Sequence, residues 1–159
     1  MTTIEELAAD LETVKGSTPT LEDLLFSTVV PCWNNAADKL TGANAMTLLV
    51  APIKLRVLSI ALSWEYWSLA ASDVNYWTLT VKKGSNPAGW TTIATRTTQN
   101  TGANANGAVA ARSAWTFDAA AWGDADLNIG DLLRVDFAPT GSVAALDLPF
   151  TATIRYRAL

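Results

Sequence analysis

Hydrophobic and polar residues alternate with a period of two along most of the chain after about residue 44. In the clearest run, Leu58, Ile60, Leu62, Trp64 and Tyr66 share one parity, and polar or small residues occupy the other. Alternation of this kind predicts a strand with one buried face. Further strands are predicted at 77–81, 133–137 and 150–156, with weaker ones at 46–50, 90–97 and 108–117.

The phase of the alternation reverses within the first long strand. Leu55 and Val57 alternate with Lys54 and Arg56, whereas from Leu58 onward the apolar residues occupy the even positions. A reversal of parity at Val57-Leu58 predicts a β-bulge or a strand that passes from one sheet to another.

The first residues follow a helical period instead. Ile4, Leu7, Leu11 and Val14 recur at three- and four-residue steps and form one apolar stripe, and Gly16 follows as a helix stop. A helix of about twelve residues is marginal alone in water, so we expect the stripe to dock on a surface. The surface is either the chain's own domain or a second copy or partner, and the pattern leaves both alternatives open.

Together these periods predict a mainly β protein. Short strands separated by turn residues, with no helices between them, favour an antiparallel, jelly-roll-like β-sandwich preceded by a short N-terminal helical arm. The predicted organisation is a helical arm for assembly at 1–30, a linker at 31–43 and a β-sandwich domain at 44–159.

Charge separates the arm from the body. Residues 1–26 hold six acids and one base, whereas the other 133 residues hold nine acids and ten bases. No basic face indicates a nucleic-acid partner, the acidic start is unlike a signal peptide, and no stretch is apolar enough to predict a membrane span. We therefore expect neither nucleic acid nor membrane as a partner.

The residue types that most enzymes use are scarce. The chain has no histidine, and Cys32 is its one cysteine, which excludes Ser-His-Asp and Cys-His chemistry and an intramolecular disulfide. Asp124, Asp126 and Asn128 have the alternate spacing of a calcium loop, but Ile129 and Val135 stand where an EF-hand needs glycine and glutamate. We predict no enzyme, no catalytic residues, no cofactor and no metal, with a non-EF calcium site as the minor alternative.

Seven tryptophans are the most distinctive feature of the composition. Trp64 and Trp77 lie on apolar parities and are predicted to be core residues. Trp90, Trp115 and Trp122 lie near strand ends or loops, so they are the candidates for surface contacts with a partner or a glycan.

Several motifs carry a resemblance to a known family. They are Ser72-Asp73-Val74-Asn75-Tyr76 before a strand, Thr92-Ile93-Ala94, Gly130-Asp131-Leu132-Leu133 and Thr140-Gly141 before the last strand. From about Arg56 to Arg157 the chain resembles the β-sandwich decoration (head fibre or cement) proteins of tailed bacteriophages. The resemblance covers about two-thirds of the chain and implies a structural virion protein on the capsid surface.

On this resemblance we expect a non-enzymatic capsid decoration protein that is made in the cytoplasm of the host bacterium. Its expected partners are further copies of itself, in a homo-oligomer for which we expect a trimer, and the major capsid protein. The stripe of Ile4, Leu7, Leu11 and Val14 is the predicted assembly interface. The alternatives are a glycan- or receptor-binding module of a tail fibre or baseplate, and another virion component of the tail or neck.

Overall fold

The structure is a computed structural model, which describes residues 25–32, 39–85, 89–118, 125–147 and 150–159. The regular structure in these ranges consists of β-strands, so the protein is mainly β. The strands are β1 Leu25–Cys32, β2 Lys39–Leu40, β3 Asn44–Val50, β4 Leu55–Trp64, β5 Tyr76–Ser85, β6 Gly89–Thr97, β7 Ala114–Asp118, β8 Asp126–Leu127, β9 Leu132–Thr140, β10 Leu146–Asp147 and β11 Phe150–Ala158.

These strands form two large sheets and one small pair. The first sheet has the order β1-β11-β4-β7, with β8 also pairing with the start of β4. The second sheet has the order β3-β9-β5-β6, and β10 pairs with β2. Every strand pairing is antiparallel.

The pairings of the longer strands are nested along the chain. β5 and β6 form a hairpin, β4 pairs with β7 outside it, β3 with β9 outside that, and β1 with β11 outermost. The two halves of the chain therefore run side by side as one long hairpin, whose rungs fall alternately in the first and the second sheet.

Both sheets contribute to a single hydrophobic core. The ring of Phe137 in the second sheet lies 5.5 Å from the ring of Phe150 in the first, measured between centroids. The prediction that Trp64 and Trp77 are core residues is confirmed, since they are 1% and 0% exposed. The other large, fully buried side chains are Leu55, Ile60, Leu62, Leu79, Phe117, Leu127, Leu133, Leu146 and Ile154.

The predicted bulge lies where the parity reverses. β11 pairs Arg155 with Ser59 and Tyr156 with Val57, which leaves Leu58 as the extra residue of β4. Val57 and Ile60 are therefore both buried, although they are three positions apart. The extra residue lets both halves of β4 face the same core.

Three sequence-based expectations need correction. Residues 25–30, predicted to belong to the helical arm, lie in β1 and pair with β11. Tyr66 is 80% exposed because β4 ends at Trp64. The weak strand expected at 108–117 is confined to Ala114–Asp118.

The stripe residues Ile4, Leu7, Leu11 and Val14 lie outside the described residues. The helix at that position stays a prediction, as does the assignment of the residues before Leu25 to an arm.

Candidate interaction surface

The three tryptophans predicted for surface contacts have different outcomes. Trp90 in β6 is 39% exposed and lies at the surface. Trp115 is 5% exposed because it occupies an inward position of β7, where it contacts Phe117 edge to face, so its prediction as a surface residue is wrong. Trp122 lies outside the described residues.

Trp90 is positioned by the glycine opposite it. In the β5–β6 hairpin Trp90 pairs with Gly84, and a Cβ atom added to Gly84 would lie 3.0 Å from the indole ring. The missing side chain at Gly84 therefore lets the ring lie close over the backbone of β5. There it reaches Arg134 of β9, whose guanidinium carbon is 3.8 Å from the ring centroid, within the range of a cation–π contact.

Charged residues continue from Arg134 along the outward face of the second sheet. The Nε of Arg134 lies 2.8 Å from a carboxylate oxygen of Asp136, and the Nζ of Lys82 lies 2.6 Å from the same carboxylate. These side chains are 21–27% exposed, so the pairs are partly shielded from water. Two cations around one carboxylate give this part of the face a net positive charge.

An apolar row crosses the same face at the end of the sheet. Val50, Leu132, Gly84 and Trp90 are register partners on the four successive strands β3, β9, β5 and β6. Val50 is 54% exposed. Because Leu133 of β9 points into the core, its neighbour Leu132 points outward, and the row lies on the solvent side.

Two loops extend this row around the end of the molecule. Ile53 follows β3 and is 40% exposed, and Ile129 precedes β9 and is 74% exposed. The loops are joined because Gly130 donates a backbone hydrogen bond of 2.8 Å to Ala51, whose own N–H donates to Asp131 at 2.8 Å. We name the set Val50, Ile53, Trp90, Ile129 and Leu132 the apolar end surface. Contiguous exposed apolar residues with a charged rim are typical of an interaction site.

The rim includes an ion pair that uses Asp126, one of the three residues with the spacing of a calcium loop. Arg56 donates from Nε and Nη2 to the two oxygens of Asp126, at 2.5 and 2.8 Å. This hydrogen bond, with the charges of Arg56, Lys83 and Lys54, lowers the pKa of Asp126 below its usual value although partial burial opposes the shift.

The other residues with the spacing of a calcium loop do not form a metal site in the described ranges. Asn128 donates its backbone N–H to Asp131 within a turn, and Asp124 lies outside the described residues. In the ranges that the structure covers, no three His, Cys, Asp or Glu side chains are grouped so that they could hold a metal ion.

The segment Ser72-Asp73-Val74-Asn75-Tyr76 has a structural role at the opposite end of the molecule. Asp73 accepts the backbone N–H groups of Asn100 and Thr101 at 2.9 and 3.0 Å, and Asn75 accepts that of Ser142 at 2.8 Å. The motif thus joins three loops.

Sequence reasoning missed the three most exposed members of the apolar end surface, Val50, Ile53 and Ile129. Ile129 gave a usable signal, because a large β-branched residue in the turn Asn128-Ile129-Gly130-Asp131 has no reason to be apolar unless it is covered by a partner or the core. Val50 and Ile53 gave none, since their exposure depends on which strands become neighbours.

Within the described part of the chain no helix has the length and hydropathy needed to cross a membrane.

No family model and no curated protein sequence matches the chain. Among solved structures it is similar to a chain of infectious bursal disease virus, Gx strain, at 13% identity and a TM-score of 0.32. It is also similar to a chain of the Gt strain of that virus, at 14% identity and a TM-score of 0.30. Each match covers 86% of this chain, which spans about one third (34%) of the viral chains.

Proposed function

We propose that the protein is a non-enzymatic structural component of a virion, which decorates and stabilises the capsid of a tailed bacteriophage, and that its two sheets form a jelly-roll sandwich. The observation that carries the proposal is the nested pairing of the eight long strands. A long antiparallel hairpin whose rungs fall alternately in two sheets is how a chain makes two Greek keys, and this architecture recurs in viral capsid domains. The argument is one of fold, and the motifs between Arg56 and Arg157 support it by their resemblance to decoration proteins.

The described surface suits a subunit that assembles. The apolar end surface presents three residues that are at least 40% exposed, Val50, Ile53 and Ile129, beside a partly exposed tryptophan. Binding of a partner that buries exposed apolar side chains is favourable, because it removes apolar surface from water. In this proposal the partners are further copies of the chain, in a homo-oligomer for which we propose a trimer, and the major capsid protein, with the predicted stripe of residues 4–14 as an assembly contact.

The test is the copy number of the chain in purified virus particles, relative to the major capsid protein. A ratio near one to one, or a simple fraction of it, is the result expected for a decoration protein on the capsid lattice. A handful of copies per particle would instead indicate a tail, neck or fibre component. Absence from the particles would overturn the proposal.

A second candidate function is recognition of a glycan or receptor by a fibre or baseplate module. Trp90 favours it, since a partly exposed indole beside Arg134, Lys82 and Asp136 combines an apolar platform with polar groups, as sugar-binding sites do. A glycan array tests it, with Trp90→Ala expected to abolish any signal. Tyr66→Ala is the matched control, because Tyr66 is an exposed aromatic residue in the loop after β4, at the other end of that strand from Leu55.

A further inference from the structure

We propose that the apolar end surface of one copy of the chain binds the amphipathic stripe Ile4, Leu7, Leu11 and Val14 of a second copy. The inference rests on the proposed function and deepens it, because it names both sides of one assembly contact. The described residues supply the receiving surface, and the N-terminal sequence supplies the ligand.

The first argument is the place where the N-terminal segment leaves the sheet. β1 begins at Leu25, which pairs with Arg157 near the end of β11, and β11 pairs there with Leu55 and Arg56 at the start of β4. The loop that carries Ile53 immediately precedes that point, and Leu159 donates a backbone hydrogen bond of 3.0 Å to Lys54. Residues 1–24 are therefore attached at the same end of the molecule as the apolar end surface.

The second argument is charge. Residues 1–24 contain Glu5, Glu6, Asp10, Glu12, Glu22 and Asp23 against Lys15 alone, a net charge of −5. The rim of the apolar end surface holds the bases Lys54, Arg56, Lys82, Lys83 and Arg134 and the acids Asp126, Asp131 and Asp136, a net charge of +2. The N-terminal segment, which the sequence predicts to be an acidic amphipathic helix, and this surface therefore have opposite charges.

The third argument is size. A helix of about twelve residues is about 18 Å long. The apolar row from Val50 to Trp90 crosses four strands, which is about 14 Å at the spacing of neighbouring strands. The stripe and the row therefore match in length, and the ten residues between Val14 and Leu25 extend over at most about 33–36 Å, enough to reach a neighbouring subunit.

The assignment of the stripe to a second copy rests on the proposed function, in which the chain is a homo-oligomer. A stripe that covered the end of its own subunit would remove the same apolar side chains from water without making any contact between copies. The two arrangements differ in one measurable way, which is whether a defective stripe and a defective surface on different molecules complement each other.

Three variants of the full chain separate the parts of the contact. Leu7→Ser with Leu11→Ser removes the stripe, and Ile53→Ser with Ile129→Ser removes the surface. Val74→Ser is the control, since Val74 is 72% exposed but lies in the loop joined to Asn100 and Ser142 at the opposite end. The mass of each is measured by size-exclusion chromatography with light scattering, and near-UV circular dichroism confirms that each variant is folded.

We expect the unaltered chain and the Val74→Ser control to form the same oligomer. The stripe variant and the surface variant are each expected to be monomeric, with association weakened at least about tenfold for each large apolar side chain removed from the contact. Mixed in equal amounts, the two variants are expected to form a one-to-one heterodimer, because one molecule keeps the stripe and the other keeps the surface.

The result that overturns the inference is a mixture that stays monomeric while the unaltered chain is oligomeric, which would assign the stripe to its own subunit or the oligomer to other surfaces. A stripe variant that keeps the full oligomeric mass would overturn it as well, and so would an unaltered chain that is monomeric. Each of these results leaves the copy number in particles as measured, so failure of this contact is distinguishable from failure of the virion proposal.

Discussion

Single residues show how the surface and its rim are supported. Gly84 matters because it has no side chain. The indole of Trp90 covers its backbone, and a Cβ atom added to Gly84 would overlap the carbonyl oxygen of Gly89. The negative charge of Asp126 matters because Nε and Nη2 of Arg56 each donate a hydrogen bond to its carboxylate. Each residue leads to a prediction about stability.

Gly84→Ala is expected to destabilise the fold by about 1–3 kcal/mol, because the new methyl group would collide with backbone atoms of Gly89 as well as with Trp90. The measurement is the free energy of unfolding in urea. Gly42→Ala is the matched control, because an added Cβ there has no atom within 4 Å, and it should change stability by less than about 0.5 kcal/mol. Equal effects of the two substitutions would contradict this account.

Asp126→Asn is expected to cost about 0.5–1 kcal/mol at neutral pH, a value limited by the partial exposure of the Arg56 pair. Since the pKa of Asp126 is lower in the folded state than in the unfolded chain, its charge stabilises the fold above the unfolded pKa. That contribution is lost as the pH falls through the folded pKa, so the difference between Asp126→Asn and the unaltered chain should vanish in acid.

Urea unfolding at neutral pH and at a pH below the folded pKa measures this difference. The more exposed Glu65, paired with Arg112, supplies the control Glu65→Gln, for which we expect a change within about 0.5 kcal/mol. A difference for Asp126→Asn that persisted unchanged in acid would show that the carboxylate charge is not its cause.

At the scale of elements, β4 shows how a local irregularity keeps a strand facing the core. Leu58 is an extra residue opposite a regular β11, and the burial of Leu55, Val57, Ile60 and Leu62 depends on it. Without Leu58 the remaining residues of β4 would alternate regularly, whereas the loss of any other residue from the middle of the strand would reverse one half of it.

Deletion of Leu58 is therefore expected to leave a folded protein that is less stable by about 1–3 kcal/mol. Deletion of Ala61, three positions along the same strand, should prevent folding, because it turns either Ile60 or Leu62 and their neighbours to the solvent side. Far-UV circular dichroism and a urea titration distinguish the two. If both deletions had the same effect, the bulge would not be what sets the register of β4.

The elements also show what a sequence reveals and what it does not. The reversal of parity at Val57-Leu58 predicted the bulge, since side-chain direction along one strand is a local property. Trp115 was misassigned although it shares its parity with Phe117 and alternates with Thr116, because its strand is short and its neighbouring loop suggested exposure. The pairing of Val50 with Leu132 is invisible in the sequence, since it depends on a strand more than eighty residues away.

At the scale of the whole molecule, the two sheets share one core. Phe137 and Phe150 contact each other from different sheets, and Trp67 and Trp77 donate from their indole N–H groups to the adjacent carbonyls of Ala145 and Ala144. Among the residues whose burial is described, the apolar side chains of both sheets belong to one cluster. The molecule should therefore unfold as one cooperative unit.

The expected result is a single transition in urea, with the same midpoint by far-UV circular dichroism and by tryptophan fluorescence. Phe137→Ala and Phe150→Ala remove the two sides of one contact and should each lower the free energy of unfolding by about 3–5 kcal/mol without separating the two probes. Two transitions, with one sheet melting before the other, would contradict a shared core.

The nested pairing of the strands also determines the order in which the molecule can be completed during translation. β1 and β4 have no shared neighbour until β11, which lies between them, has been synthesised. A ribosome that has made residues 25–147 therefore holds a chain whose first sheet lacks an inner strand and whose edges are open to wrong partners. Completion of the first sheet must follow the emergence of β11, so we expect a chain that terminates before Phe150 to be a substrate for proteases.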